Sequence, residues 1–133
     1  MTTSNTPAQD TKGDTFANLR RYQYALLTTF RKDGRAVPTI VWFAPDQDKL
    51  YVMTPSTTGK IKRIRNNGRV VLAPCNARGK ILGEPVEARA YELPVSESSH
   101  AAAALARKYG FLHRVATFLQ KVGKVKRIYI EIA

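Results

Sequence analysis

Residues 50–72 constrain the fold most, because a strand, a hydroxyl-rich turn, a short basic helix and a second strand follow one another there. β-Branched and aromatic residues predict the first strand over residues 50–54, and Pro55 ends it. Three consecutive candidates for a helix N-cap come next: Ser56, Thr57 and Thr58. The helix that follows carries Ile61 and Ile64 on its apolar side. We expect it to stop at Gly68, with a positive φ.

The beginning of this helix is a candidate anion site. Free backbone N–H groups and the positive end of the helix dipole lie there, and Lys60 and Arg63, three residues apart, share one side. A solvated basic face behind an ordinary cap is the alternative, and the pattern leaves both open. A nucleotide P-loop is disfavoured, because that motif needs glycine where Thr54 stands and Ser or Thr where Ile61 stands.

Composition limits the class of protein. A chain of 133 residues is long enough for one domain with a core, and its 22 basic against 10 acidic residues (+12) imply an anionic partner. The single cysteine, Cys75, excludes an intramolecular disulfide, and two isolated histidines, His100 and His113, predict no metal site. Without a signal-like segment or a run of roughly 18 apolar residues, we predict a cytoplasmic protein with no membrane partner.

The N-terminal region divides into a tail and the beginning of the domain. Residues 1–13 are polar and lack periodicity, so we predict a disordered tail, with one domain over residues 14–133. A short helix carrying Phe16, Leu19 and Tyr22 is expected to close one end of a barrel.

The remaining pattern predicts a mainly β fold. Six strands are expected over residues 24–30, 36–44, 50–54, 69–74, 86–93 and 126–132. Gly34 provides a positive φ in the first hairpin, and Pro38 requires an edge, a bulge or a backbone position that faces a ligand. A helix capped by Ser96 and stopped by Gly110 precedes a second helix over residues 111–122. Hairpin-linked strands with few helices favour a small antiparallel barrel.

Two motifs resemble one known superfamily. The helix segment Ser-Thr-Thr-Gly-Lys-Ile-Lys-Arg and the returning strand Asn-Asn-Gly-Arg-Val-Val-Leu are similar to the pyridoxamine 5'-phosphate oxidase-like FMN-binding split barrels, over about residues 16–91. Residues 26–35 and 41–44 look most like the subgroup that uses the deazaflavin coenzyme F-420. The resemblance implies an α+β, mainly β fold: a six-stranded antiparallel split β-barrel with short peripheral helices.

The same resemblance implies a homodimeric oxidoreductase with FMN or coenzyme F-420 at the subunit interface, passing hydride to or from a small organic substrate. Carried over position by position, the ring is bordered by Val37, Pro38, Thr39 and Ile40, the ribityl chain by Met53 and Thr54, and the phosphate by Thr58 and Lys60. Helical geometry adds Arg63 to the phosphate site.

Two departures from the family pattern bear on function. FMN-binding oxidases usually carry arginine immediately before the helix lysine, and Gly59 in that position removes one bidentate clamp, which favours F-420 over FMN. The sequence also lacks the terminal segment with which true pyridoxamine phosphate oxidases hold their substrate, so that reaction is disfavoured.

Other functions stay open beside this one. A flavin carrier or sensor without turnover has the same sequence features. A nucleic-acid-binding barrel would explain the basic clusters at 60–63 and 121–127, but no RNA-recognition motif accompanies them, so it is disfavoured. No paired carboxylates and no Ser or Cys with a matching His are apparent, and we therefore name no catalytic residue and assign the chemistry to the cofactor.

Overall fold

The computed structural model describes residues 16–110 and 126–133, which form one curled antiparallel sheet with helices outside it. Its strands are β1 (Tyr24–Phe30), β2 (Ala36–Trp42), β3 (Ala44–Asp46), β4 (Lys49–Pro55), β5 (Arg69–Cys75), β6 (Val86–Glu92) and β7 (Arg127–Ile132). The helices are α1 (Gly59–Asn66) and α2 (Ser98–Tyr109), and a 3₁₀ turn (Val95–Glu97) precedes α2. The strand order is β2-β1-β5-β6-β7-β4-β3.

A single residue joins the two edges of this sheet. β2 and β3 lie at opposite ends of the strand order, yet only Phe43 separates them along the chain. The sheet must therefore curl until its edges meet, which is the geometry of a split barrel. The predicted mainly β split barrel is confirmed, with seven strands instead of six because the expected strand 36–44 breaks at Phe43.

The inside of the curl holds the main hydrophobic core. Alternate residues of the strands point inward, as in β1, where Ala25, Leu27 and Thr29 are all fully buried. Helix α1 adds Ile61 and Ile64 to this core, with 1% and 5% of their surface exposed, and this confirms the apolar side predicted for the helix.

A second hydrophobic layer covers the outside of β4 and β7. Helix α2 places Leu105 and the small residues Ala101 and Ala104 against Tyr51 and Tyr129. Small side chains let the helix approach the sheet closely, and β4 and β7 are consequently buried on both faces.

Several predicted turns have their expected form. Gly34 has a φ of 91° in the first hairpin, and Gly110 follows the end of α2 with a φ of 54°. Pro38 lies in β2, an edge strand, where its missing N–H costs no ladder bond on the open side. The predictions for residues 1–13 and 111–122, and His113, lie outside the described residues.

Three local predictions are wrong. Phe16 and Leu19 are buried, but their segment forms a turn with i→i+3 bonds, such as Leu19 N–H to the Phe16 carbonyl at 2.9 Å, instead of a helix. Gly68 lacks a positive φ; a side chain there would lie 3.1 Å from the Ala90 carbonyl, so glycine serves the close approach to β6. Ser96 lies in the 3₁₀ turn, and α2 begins two residues later.

The corner at Phe43 is held by two side chains of α2. The Tyr109 hydroxyl accepts the Phe43 N–H at 2.9 Å and lies 2.6 Å from the carbonyl of Gln23 and 2.8 Å from that of Phe43. The Lys108 ammonium donates to the Tyr22 carbonyl at 2.7 Å and stands 3.4 Å from the centre of the Phe43 ring. Burial lowers the pKa of Lys108 to about 8.

We predict that Tyr109→Phe destabilises the protein by about 1–3 kcal/mol, because the buried backbone groups of Phe43 lose their partner while the ring packing stays. Urea unfolding measures the loss. Tyr91→Phe, at a half-exposed ring on β6, is the matched control and should change stability by less than about 0.5 kcal/mol. Equal stability of Tyr109→Phe and the wild type would contradict the role of the hydroxyl.

Candidate functional site

Hydroxyl groups and one ammonium group form a cluster at the beginning of α1. The Thr54 Oγ1, on a side chain only 1% exposed, lies 3.0 Å from the Thr58 Oγ1 and accepts a hydrogen bond from the Lys60 Nζ at 3.1 Å. The Thr58 hydroxyl also donates to the Pro55 carbonyl at 3.1 Å, so it does not cap the helix. The first N–H groups of α1 therefore have no side-chain cap, and its first turn has no acidic residue.

Arg63 lies one turn further along α1 and folds back toward the helix start. Its Nε donates to the Thr29 Oγ1 of β1 at 2.6 Å. A Cβ placed on Gly59 would be only 2.7 Å from the Arg63 Nη1. The absent side chain at Gly59 thus leaves the space that this guanidinium occupies.

A cleft of about 770 Å³ opens beside these groups, between the β1–β2 turn and α1. It is lined by Phe30, Arg31, Lys32, Asp33, Arg35, Gly59, Lys62, Arg63, Arg65 and Asn66. Two of its six cations are paired, since Arg35 binds Asp33 at 2.8 Å and Arg65 binds Glu92 at 2.6 Å. The other four have no ion pair with any residue in 16–110 or 126–133.

Positive charges lie close together at this site and lower the pKa of their neighbours. Burial lowers the pKa of Lys60, and the nearby Arg63 lowers it further. Burial also lowers the pKa of Arg63, with a smaller effect from Arg31. Like charges brought together away from bulk water repel, and a bound anion would offset that repulsion. The arrangement is suited to holding a phosphate or carboxylate group.

The residues predicted for the phosphate lie together. Thr58 and Lys60 each hydrogen-bond to Thr54, a residue predicted for the ribityl chain, and Arg63 is close enough to Lys60 to affect its pKa. Met53 does not join them: it points to the opposite face of β4 and packs on the cluster beneath α2.

The residues predicted for the ring occupy both faces of β2. Val37 and Thr39 are half-buried, and the Thr39 hydroxyl donates to the Leu27 carbonyl at 3.4 Å. Pro38 and Ile40 point outward from the sheet and are exposed. Contact with a bound ring stays a prediction for all four.

Thr29 and Arg31 belong to the candidate site, although the sequence did not predict them there. Thr29 is a fully buried hydroxyl in β1 that contacts Arg63, and Arg31 lies in the cleft. The available signal for Thr29 was its place in the strand, at an inward-facing position where the other inward-facing residues are apolar. Nothing in the sequence pairs it with Arg63, which is 34 residues away.

Fold and site together define a split-barrel protein with a basic, hydroxyl-lined cleft that is a candidate anion site. The family model of pyridoxamine 5'-phosphate oxidase matches residues 13–132, and the chain belongs to that family. A search of curated proteins found no match.

Solved structures have the same fold. The heme storage protein of Vibrio cholerae is 14% identical, with 84% of this chain and 81% of that chain covered and a TM-score of 0.65. A conserved hypothetical protein of Mycobacterium tuberculosis is 16% identical, with 98% and 81% covered and a TM-score of 0.64. An FAD-binding protein of Mesorhizobium loti is 20% identical, with 96% and 87% covered and a TM-score of 0.56.

In the part of the chain that the structure describes, neither helix has the length and apolar character needed to cross a bilayer.

Proposed function

We propose that this chain is a cytoplasmic oxidoreductase that binds FMN or coenzyme F-420 and transfers hydride between the cofactor ring and a small organic substrate. One observation carries the proposal: Lys60 and Arg63, without a carboxylate partner among the described residues, adjoin two hydroxyls and the uncapped start of α1. Such a donor set suits a phosphate group. Membership of the pyridoxamine 5'-phosphate oxidase family, whose members typically bind flavins, supports the same reading.

In this proposal each part of the site has a separate task. Lys60, Arg63 and the first N–H groups of α1 hold the phosphate, while Thr54 and Thr58 direct the ammonium of Lys60. The backbone of β2 borders the ring, and the cofactor itself supplies the hydride chemistry when it is bound.

A carrier or sensor of flavin without turnover is the second candidate. The names of two proteins with this fold, the Mesorhizobium FAD-binding protein and the Vibrio heme storage protein, mention binding or storage and no reaction. His100, the one histidine in the described ranges, is engaged with Asp46 through an Nε2–Oδ2 distance of 2.5 Å, so the described residues offer no free histidine to a heme iron. Substrate-dependent oxidation or reduction of the bound cofactor separates carrier from enzyme.

Nucleic-acid binding receives little support from the cleft. Its aromatic residue, Phe30, has its ring face covered by the Arg69 guanidinium, 4.5 Å from the ring centre. Proteins that bind single strands usually offer aromatic faces on which bases stack.

We predict that Lys60→Ala weakens cofactor binding about tenfold to hundredfold without unfolding the protein, because a charge-assisted hydrogen bond is lost and no core cavity forms. Arg107→Ala removes the same charge from α2, outside the cleft, and should leave the dissociation constant nearly unchanged. Fluorescence titration with FMN and with F-420 measures both variants. Unaltered titration curves for Lys60→Ala would remove this residue from the site.

We also propose that the protein is a homodimer whose interface completes the site. The outer face of the sheet exposes Ile40, and the loop after β5 exposes Ile81 and Leu82, at 39%, 53% and 43% of their surface. Gly79, with a Cβ position 3.4 Å from the Ile40 Cδ1, brings this loop onto the end of β2. A second copy of the chain would cover these apolar groups and close the exposed side of the predicted ring site.

The proposed dimer predicts that a charge placed on this face weakens the association of the two subunits. Ile40→Asp should shift the protein toward monomer at micromolar concentration, because the carboxylate would have to be buried without a partner. Sedimentation velocity measures the shift. Val95→Asp, on a side chain that is 79% exposed in the 3₁₀ turn, is the control and should stay dimeric. A monomeric wild type would refute the shared site.

Between the two cofactors, we predict tighter binding of F-420 than of FMN. The chain has a formal charge of +12, and four cleft cations have no ion pair in the described ranges, which favours the cofactor with the longer anionic tail. Titrations at matched, near-physiological ionic strength are the test, because screening then acts equally on both ligands. Tighter binding of FMN would assign the protein to the flavin-using branch of its family.

A further inference from the structure

Thr29 is a buried hydroxyl at the point where β1, β2 and α1 meet. Its side chain is fully buried, donates to the Val37 carbonyl at 3.5 Å and accepts the Arg63 Nε at 2.6 Å. One hydroxyl therefore connects the strand predicted to border the ring with the arginine predicted to hold the phosphate. A part-buried donor that loses its acceptor loses a charge-assisted hydrogen bond, so this contact restricts the orientation of Arg63.

Gly59 supplies the space that this orientation needs. A Cβ there would stand 2.7 Å from the Arg63 Nη1 and 3.6 Å from its Cζ, so any other residue would displace the guanidinium. Because Thr29 engages only the Nε, the two Nη groups remain available at the edge of the cleft, without a hydrogen bond to another group in 16–110 or 126–133. Two parallel Nη–H donors match two oxygens of a phosphate.

We propose that Thr29 and Gly59 are positioning residues: the hydroxyl of Thr29 and the open space above Gly59 hold the Arg63 guanidinium ready to clamp the cofactor phosphate. The proposal rests on the function proposed above. A guanidinium fixed before the ligand arrives loses less side-chain freedom on binding than a mobile one, which improves affinity. The phosphate therefore gains from two features that need not touch it, the Thr29 hydroxyl and the missing side chain of Gly59.

The test compares each cofactor with its own phosphate-free form, which is riboflavin for FMN and the dephosphorylated deazaflavin for F-420. Thr29→Val keeps the shape of the side chain and removes the acceptor, and we expect about tenfold weaker binding of the phosphorylated cofactor. Binding of the phosphate-free form should not change. Thr29→Ser, which retains a hydroxyl, should restore wild-type affinity.

Gly59→Ala provides an independent variant. Alanine favours a helix more than glycine does, so lost affinity in this variant cannot come from a weakened α1. Gly59→Ala should weaken binding of the phosphorylated cofactor and leave binding of the phosphate-free form unchanged, as Thr29→Val does. Thr28→Val, the same change at the neighbouring position on the opposite face of β1, is the matched control and should not alter the ratio of the two affinities.

Two different failures can be told apart. A wild type that binds cofactor while Thr29→Val and Gly59→Ala keep its full preference for the phosphorylated form overturns this inference and leaves the proposed function intact. A wild type that binds no flavin or deazaflavin refutes the proposed function. Thermal unfolding in the presence of inorganic phosphate then tests the proposed clamp. Stabilisation of the wild type but not of Thr29→Val supports the clamp, and equal stabilisation of both overturns it.

Discussion

The hydroxyl of Tyr109 at the Phe43 corner is the interaction on which the rest of the architecture depends. A strand that leaves one edge of a sheet and continues at the other edge must break its ladder, and the backbone groups at the break are buried. The Tyr109 hydroxyl of α2 is the hydrogen-bond partner of these backbone groups, and the Lys108 ammonium lies over the Phe43 ring. With the corner fixed, the sheet stays curled, β2 remains an open edge, and the inward face of β1 meets α1, where the candidate site lies.

Stability and function make opposite demands at that site. The core would be satisfied by an apolar residue in place of Thr29 and by fewer charges on α1. Lys60 and Arg63 each have a pKa lowered by burial and by a neighbouring positive charge. Charges gathered without carboxylates lower the stability of the free protein and are offset only when an anion binds. Their presence on α1, beside the cleft, is therefore better explained by a ligand than by folding.

Sequence patterns identified what depends on local alternation and missed what depends on distant contacts. Apolar periodicity found the strands and the buried side of α1, and the missing N–H of Pro38 indicated an edge. The break at Phe43 was not predictable, because it depends on Tyr109, 66 residues further along the chain. The pattern predicts that Gly68 stops α1 with a positive φ, whereas its lack of a side chain serves contact with β6. The contact of Thr29 with Arg63 was missed for the same reason, since nothing local relates them.

Gly59 illustrates how a residue-by-residue comparison can mislead about a ligand. In sequence, glycine before Lys60 means a missing guanidinium and hence a weaker phosphate site. In three dimensions, the guanidinium of Arg63 occupies the space next to that glycine, so the position has lost its arginine without losing the charge. Gly59 therefore gives no reason to exclude FMN. The choice between FMN and F-420 must then depend on what extends beyond the phosphate, where Arg31 and Lys62, which have no ion pair within 16–110 or 126–133, line the cleft.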